Sequence, residues 1–84
     1  MSREHHKTDL TQFLQTIQRP DRPITSIDED DGLVESGWVD SLALLQIITY
    51  LEETYQIDFR KAGFVPSELR SIGTILDLIE RETQ

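Results

Sequence analysis

The sequence predicts an all-α fold: a four-helix bundle with three longer helices, one short third helix and a long loop between the first two. Three observations carry that reading. Apolar residues recur at the i, i+3, i+4, i+7 spacing of a helical stripe in three separate segments; no segment shows the alternation of a strand; and the prolines, with every glycine but Gly73, fall between the helical segments.

In chain order, Met1 to Lys7 is polar and reads as a disordered tail that includes His5 and His6. Thr8 to Arg19 holds Leu10, Phe13, Leu14 and Ile17 on one stripe, with Thr8 placed to cap the helix, Asp9 in its first turn and Pro20 ending it. Pro20 to Asp40 contains two prolines, the acids Asp28 to Asp31 and two glycines, and reads as a loop of about twenty residues. That length points to a functional loop or a long crossover between helices. Ile24, Ile27, Leu33 and Val34 are the residues expected to tack it to the bundle. Ser41 to Tyr55 has neither Gly nor Pro and is the expected central helix. Ile57 and Phe59 are expected in the core, Gly63 and Pro66 punctuate, and Ser67 to Arg70 has room for one short helical turn. Ser71 caps a last helix bearing Ile72, Ile75, Leu76 and Ile79. Gly73 within it is a weakness of about 1 kcal/mol relative to Ala. The whole chain, 1–84, is expected to be one domain.

Composition narrows function. The chain has 84 residues, 16 Asp and Glu against 8 Lys and Arg, a net charge of −8 and no cysteine. A domain of this size buries only roughly 60 to 65% of its unfolded surface, which leaves little room for an enclosed catalytic cavity. Without cysteine there is no disulfide, no thiolate metal site and no thiol nucleophile. Nucleic acid and anionic membranes are disfavoured partners, because counterion release requires a basic surface. The acids before Gly32 do not make a calcium loop: with Gly32 at the sixth position, the first would be Ile27 and the twelfth Trp38, neither bearing a ligand oxygen. No metal site is expected, and Trp38 is expected to pack the loop on the bundle. No apolar run reaches the ~18 residues of a membrane span and no signal peptide is evident, so a cytoplasmic location is expected.

The central helix departs from a simple amphipathic pattern. At 100° per residue with Leu44 at zero, Ile48, Leu51 and Tyr55 fall within about 40°, whereas Leu42 lies near 160° and Leu45 near 100°. Two leucines therefore point away from the core, beside Gln46, Thr49, Glu52 and Glu53. Either the long loop covers them or they form a docking surface. Glu52 and Glu53 oppose the dipole at the helix C-terminus, as residues selected for stability alone would not. At the helix start, Asp40 can supply the cap and leave the Ser41 hydroxyl free; an anion attached there would meet unpaired amides and the positive end of the dipole.

Asp40-Ser41-Leu42, followed by Leu44-Leu45, Ile47-Ile48, Leu51-Glu52-Glu53, Tyr55 and Ile57, resembles the modification site and second helix of acyl carrier and peptidyl (aminoacyl) carrier proteins. The first helix, the Val65-Pro66 stretch and Ser71-Ile72 extend the resemblance over roughly Thr8 to Arg81. The resemblance implies an acyl-carrier-like, stand-alone, non-catalytic protein. A phosphopantetheinyl transferase would attach 4′-phosphopantetheine to Ser41, and the arm's thiol would carry acyl or aminoacyl groups as thioesters. It further implies that Asp40, Leu42, Leu45, Gln46, Thr49, Glu52 and Glu53 face partner enzymes. Ala43 and Gln46 stand where fatty-acid-synthesis carriers usually show acids, and Arg60 and Lys61 add positive charge. These departures favour a monomeric carrier in a specialised pathway, loaded by an adenylating acyl or aminoacyl ligase and discharged to a downstream acyltransferase or synthase. A fatty-acid-synthesis carrier, an unmodified acidic adaptor or inhibitor with the same fold, and a small hydrolase using Ser41 with a histidine are the alternatives.

Overall fold

The computed structural model describes residues 3–24, 27–59 and 66–83. Along the chain run α1 (Arg3–Gln15), α2 (Ala43–Tyr55), a single 3₁₀ turn (Pro66–Leu69) and α3 (Ile72–Thr83), with no strand among the described residues. The expected all-α architecture is present, and its short third helix is the 3₁₀ turn.

Helix α1 begins well before the expected position. The segment read as a tail is helical from Arg3, so Thr8 and Asp9 lie mid-helix rather than at a cap. The Thr8 hydroxyl donates back to the Glu4 carbonyl at 3.0 Å, and the Asp9 carboxylate sits 3.3 Å from His5 Nε2. Long-range contacts hold the extra turn where local apolar content could not. The Arg3 guanidinium reaches Asp77 at 2.9 Å, Glu80 at 3.2 Å and the Gly73 carbonyl at 3.4 Å, and Lys7 reaches Glu29 at 3.0 Å. His6 joins Leu10 and Leu14 on the buried i, i+4, i+8 line, its ring edge against Tyr55 at 5.3 Å. Phe13 stacks on Tyr50 at 4.3 Å, and Phe13 and Ile17 complete the stripe as half-buried residues. The helix tightens before Pro20, where Thr16 and Ile17 donate to carbonyls three residues back.

The loop before α2 is pinned at both ends of a short path. Gly73 N–H donates to the Glu29 carbonyl at 2.9 Å and Leu33 N–H to the Arg70 carbonyl at 2.7 Å. Trp38 and Val39 N–H then both donate to Leu33. Ile24, Leu33, Trp38 and Val39 are buried and Ile27 half-buried, whereas Val34, expected to anchor the loop, is 37% exposed. The turn at Gly37 has φ +77°, a conformation that a side chain disfavours.

At α3, Ser71 acts as the expected cap. Its Oγ accepts from Thr74 N–H at 3.2 Å while Thr74 Oγ1 accepts from Ser71 N–H at 3.0 Å, a capping box closed by Thr. Gly73 is no weakness: a Cβ there would lie 3.2 Å from the Glu29 carbonyl oxygen, so the loop approaches α3 closely only because the side chain is absent. Ile72, Ile75, Leu76, Leu78 and Ile79 fill the core with Ile57, Phe59 and Leu69. Arg81 forks onto Glu68 at 2.8 and 3.2 Å, tying the 3₁₀ turn to α3. Arg60, Lys61, Gly63 and Val65, and with them the charge reversal after α2, lie outside the described residues.

Candidate functional site

The site is built where the pinned loop runs into α2. Three successive i→i+3 hydrogen bonds open the helix: Ala43 N–H to Asp40, Leu44 N–H to Ser41 and Leu45 N–H to Leu42, at 2.9, 3.2 and 3.2 Å. Leu42 is already helical in its backbone, with φ −66° and ψ −25°, and no side chain caps the helix. The expected cap by the Asp40 carboxylate is therefore corrected. The tight first turn satisfies those amides with backbone carbonyls, and the carboxylate turns instead toward Arg19, 3.8 Å from its Nη1. Asp40 contributes to the helix start through its carbonyl alone.

Ser41 is exposed, and its hydroxyl has no hydrogen-bond partner among the described residues. The N–H groups of Ser41 and Leu42 are likewise without a carbonyl acceptor among them, leaving orphan donors at the positive end of α2. Leu42 is 77% exposed and Leu45 65%, so the loop does not cover them.

The buried line of α2 is Ala43, Ile47 and Leu51, with Leu44, Ile48, Tyr50 and Tyr55 half-buried beside it. This centre is rotated by about 60° from the Leu44 line that spacing alone suggests. Small Ala43 lets the helix start sit close to the core, and the rotation turns Leu45 further into solvent while leaving Leu42 on the side opposite the core. Gln46, Thr49, Glu52 and Glu53 are exposed with them, the Thr49 hydroxyl donating back to the Leu45 carbonyl at 3.0 Å. Every candidate residue on α2 thus lies on one solvent-facing side. Beside it an open groove of ≈ 700 Å³ runs between α2 and the end of α1, with Phe13, Ile17 and Leu45 as apolar walls and Thr49 and Glu53 along α2.

Two residues at this site were not anticipated. The Arg22 guanidinium carbon lies 4.2 Å from the centre of the buried Trp38 ring, and Arg19 reaches the Asp40 carboxylate. Two arginines flanking Pro20 in so acidic a chain were the available signal. Elsewhere on α2, burial pushes the Tyr50 and Tyr55 hydroxyls above their ordinary ionisation range, so both remain neutral. The histidines are not partners of Ser41. His5 and His6 pack together at Tyr55, fourteen residues along the chain from Ser41 and about 20 Å by helical rise, so this arrangement gives the hydrolase alternative no histidine within reach.

A sequence profile described as the phosphopantetheine attachment site matches residues 10–80, nearly the whole chain. The protein belongs to this phosphopantetheine-attachment family. Comparison with curated proteins and with solved structures returned no match. As a member of the family it is an acyl or peptidyl carrier with 4′-phosphopantetheine as its prosthetic group. Carriers of this kind are in general non-catalytic; a phosphopantetheinyl transferase modifies them, and they interact with synthetic enzymes. No helix among the described residues is long and apolar enough to cross a membrane. The residues present fit the group. A free primary hydroxyl, two orphan N–H donors and a helix dipole suit a phosphodiester, and the exposed leucines beside them suit a partner that must reach it.

Proposed function

We propose that Ser41 is the residue that carries the phosphopantetheine arm, and that this carrier serves a specialised pathway in which an adenylating ligase loads an amino acid or a small acyl group. The observation that carries the reading is the conjunction at the start of α2: an exposed Ser41 hydroxyl, without a partner among the described residues, flanked by Leu42 and Leu45, both largely in solvent. When bound, the arm supplies a terminal thiol able to hold acyl groups as thioesters, which the cysteine-free chain cannot supply itself.

The chain's own residues have separable roles in this reading. Within the transferase, Ser41 Oγ would give up its proton and bond to the pantetheine-side phosphorus of the coenzyme A pyrophosphate, while the bond from that phosphorus to the bridging oxygen breaks and adenosine 3′,5′-bisphosphate leaves. The N–H groups of Ser41 and Leu42 oppose the negative charge left beside them. Leu42 and Leu45 supply the apolar centre of the docking face, and Asp40, Gln46, Thr49, Glu52 and Glu53 form its polar rim. That rim is acidic at Asp40 and toward the C-terminal end of α2 but neutral at Gln46 and Thr49, next to the attachment point. Charge complementarity governs encounter rate and partner choice, so a neutral centre supports a partner set different from that of a uniformly acidic carrier, and with it the ligase-loaded reading. A downstream acyltransferase or synthase would read the same face, and a cytoplasmic location fits these partners.

The test is incubation with a broad-specificity transferase and coenzyme A, followed by intact mass, and then isolation of the protein from its own cells with its thioester cargo trapped. Gain of one phosphopantetheine that Ser41→Ala abolishes, and an aminoacyl or short acyl cargo, are expected. A long fatty acyl cargo would return the protein to fatty acid synthesis.

A further inference from the structure

Among the described residues, Arg19 and Arg22, like Arg70, reach no carboxylate at short range, unlike the other Lys and Arg side chains. Arg3, Lys7 and Arg81 each reach a carboxylate at 2.8 to 3.0 Å. Arg19 does not: its contacts with Asp21 and Asp40 are 3.7 and 3.8 Å, beyond the 2.7–2.9 Å of a charge-assisted hydrogen bond. The three side chains are 46, 70 and 76% exposed, so these pairs are weakly held and easily exchanged. Arg22 has no carboxylate within 4.0 Å among the described residues and lies instead over the Trp38 ring. Trp38 is itself fixed, 7% exposed with its backbone N–H donating to the Leu33 carbonyl, so it holds that guanidinium beside the segment leading into Ser41.

We propose that Arg19, supported by Arg22, is a binding residue for the phosphodiester at Ser41. The inference rests on Ser41 being the attachment residue. Asp40 and Ser41 are adjacent in the chain, with Cα atoms about 3.8 Å apart. The guanidinium at the Asp40 carboxylate is therefore one residue away from Ser41, and turning from that carboxylate would bring it to a phosphodiester there. A phosphodiester offers one negative charge and two free oxygens, which the planar guanidinium fork matches better than a carboxylate held at 3.8 Å. A new anion beside Asp40 in a chain of net charge −8 also needs a local counter-charge, and Arg19 is the guanidinium the structure holds at Asp40.

The exchange has a functional consequence. In the unmodified protein Arg19 partly neutralises Asp40; once Arg19 turns to the phosphodiester, the Asp40 carboxylate is released to the docking face. Unmodified and modified carrier then differ in charge at a residue that partners meet, which lets an enzyme distinguish them without touching the thiol.

The experiment follows the arginine Nε–Hε resonances of the unmodified and phosphopantetheinylated full chain, with intact mass confirming modification and Ser41→Ala as its control. Arg19, and to a lesser degree Arg22, should shift on modification, while Arg70, paired with Glu35 away from the site, should not. In modified Arg19→Gln the ³¹P resonance should move toward its position in the urea-unfolded protein, with helicity unchanged. An Arg19 shift no larger than that of Arg70, or a ³¹P resonance indifferent to Arg19→Gln, overturns the proposal and leaves the Ser41 assignment standing. Modification that survives Ser41→Ala overturns both.

Discussion

Two leucines six residues apart on α2 should respond oppositely to truncation. Leu51 is fully buried, and Leu51→Ala removes its transfer free energy and leaves a cavity, together about 2 to 5 kcal/mol. At roughly 0.05 to 0.15 kcal/mol per residue the whole domain has only about 4 to 13 kcal/mol of stability. This one change therefore threatens the fold and should lower the melting temperature by at least about 8 °C, at ~4 °C or more per kcal/mol for a domain of this size. Leu45 is 65% exposed, so only about a third of its burial energy is at stake, and Leu45→Ala should cost under about 1 kcal/mol. Its effect should appear instead in docking. Loss of an apolar anchor of about 1 to 2 kcal/mol predicts a 5- to 30-fold fall in transferase kcat/KM with melting nearly unchanged. Denaturant titrations of both variants, alongside transferase kinetics of Leu45→Ala, give the answer. Equal destabilisation by the two variants would show that Leu45 is part of the core and refute the docking-face reasoning. Unchanged kinetics of Leu45→Ala would refute its role as an anchor.

Other outcomes follow from the same contacts. The Lys7 ammonium, with Arg3 behind it, holds the Glu29 carboxyl below its ordinary value, so this group adds stability above about pH 4.3, the unfolded value, and loses it as pH falls through the depressed folded value. In Lys7→Met, carboxyl NMR should show Glu29 titrating closer to normal, and the stability gap from the wild type should close in acid. Gly37→Ala should cost about 1 to 2 kcal/mol in a melting experiment. The cost is conformational, since the nearest heavy atom to an added Cβ is Arg22 Nη1, 4.0 Å away. Gly73→Ala should fail to deliver the ~1 kcal/mol that helix propensity alone would give, because its Cβ meets the Glu29 carbonyl oxygen at 3.2 Å.

What the sequence made legible is what a helical period encodes. That Leu42 and Leu45 point away from the core follows from 100° steps along one uninterrupted helix, although only the structure shows that the loop leaves them uncovered, and the Ser71 cap follows from a local hydroxyl before a regular apolar stripe. The start of α1 was not legible, because the helicity of Arg3 to Lys7 depends on Asp77, Glu80 and Glu29, residues distant in the chain, and no apolar residue marks those positions. His6 is buried for the same reason, its polar name hiding a ring that packs edge-on against Tyr55. Asp40 was misread because cap preference is a statement about isolated helix ends. Here a tight backbone turn satisfied the amides first and Arg19 drew the carboxylate aside. Gly73 likewise cannot be judged without the loop that crosses it.

The most direct test of the central claim is to localise the arm after modification by a transferase, using fragment masses of the proteolysed protein. Phosphopantetheine is expected on the peptide containing Ser41, at Ser41, and none on Ser36, Ser67 or the buried Ser71. An arm mapped to another hydroxyl, or a folded protein that no transferase modifies, would contradict the claim.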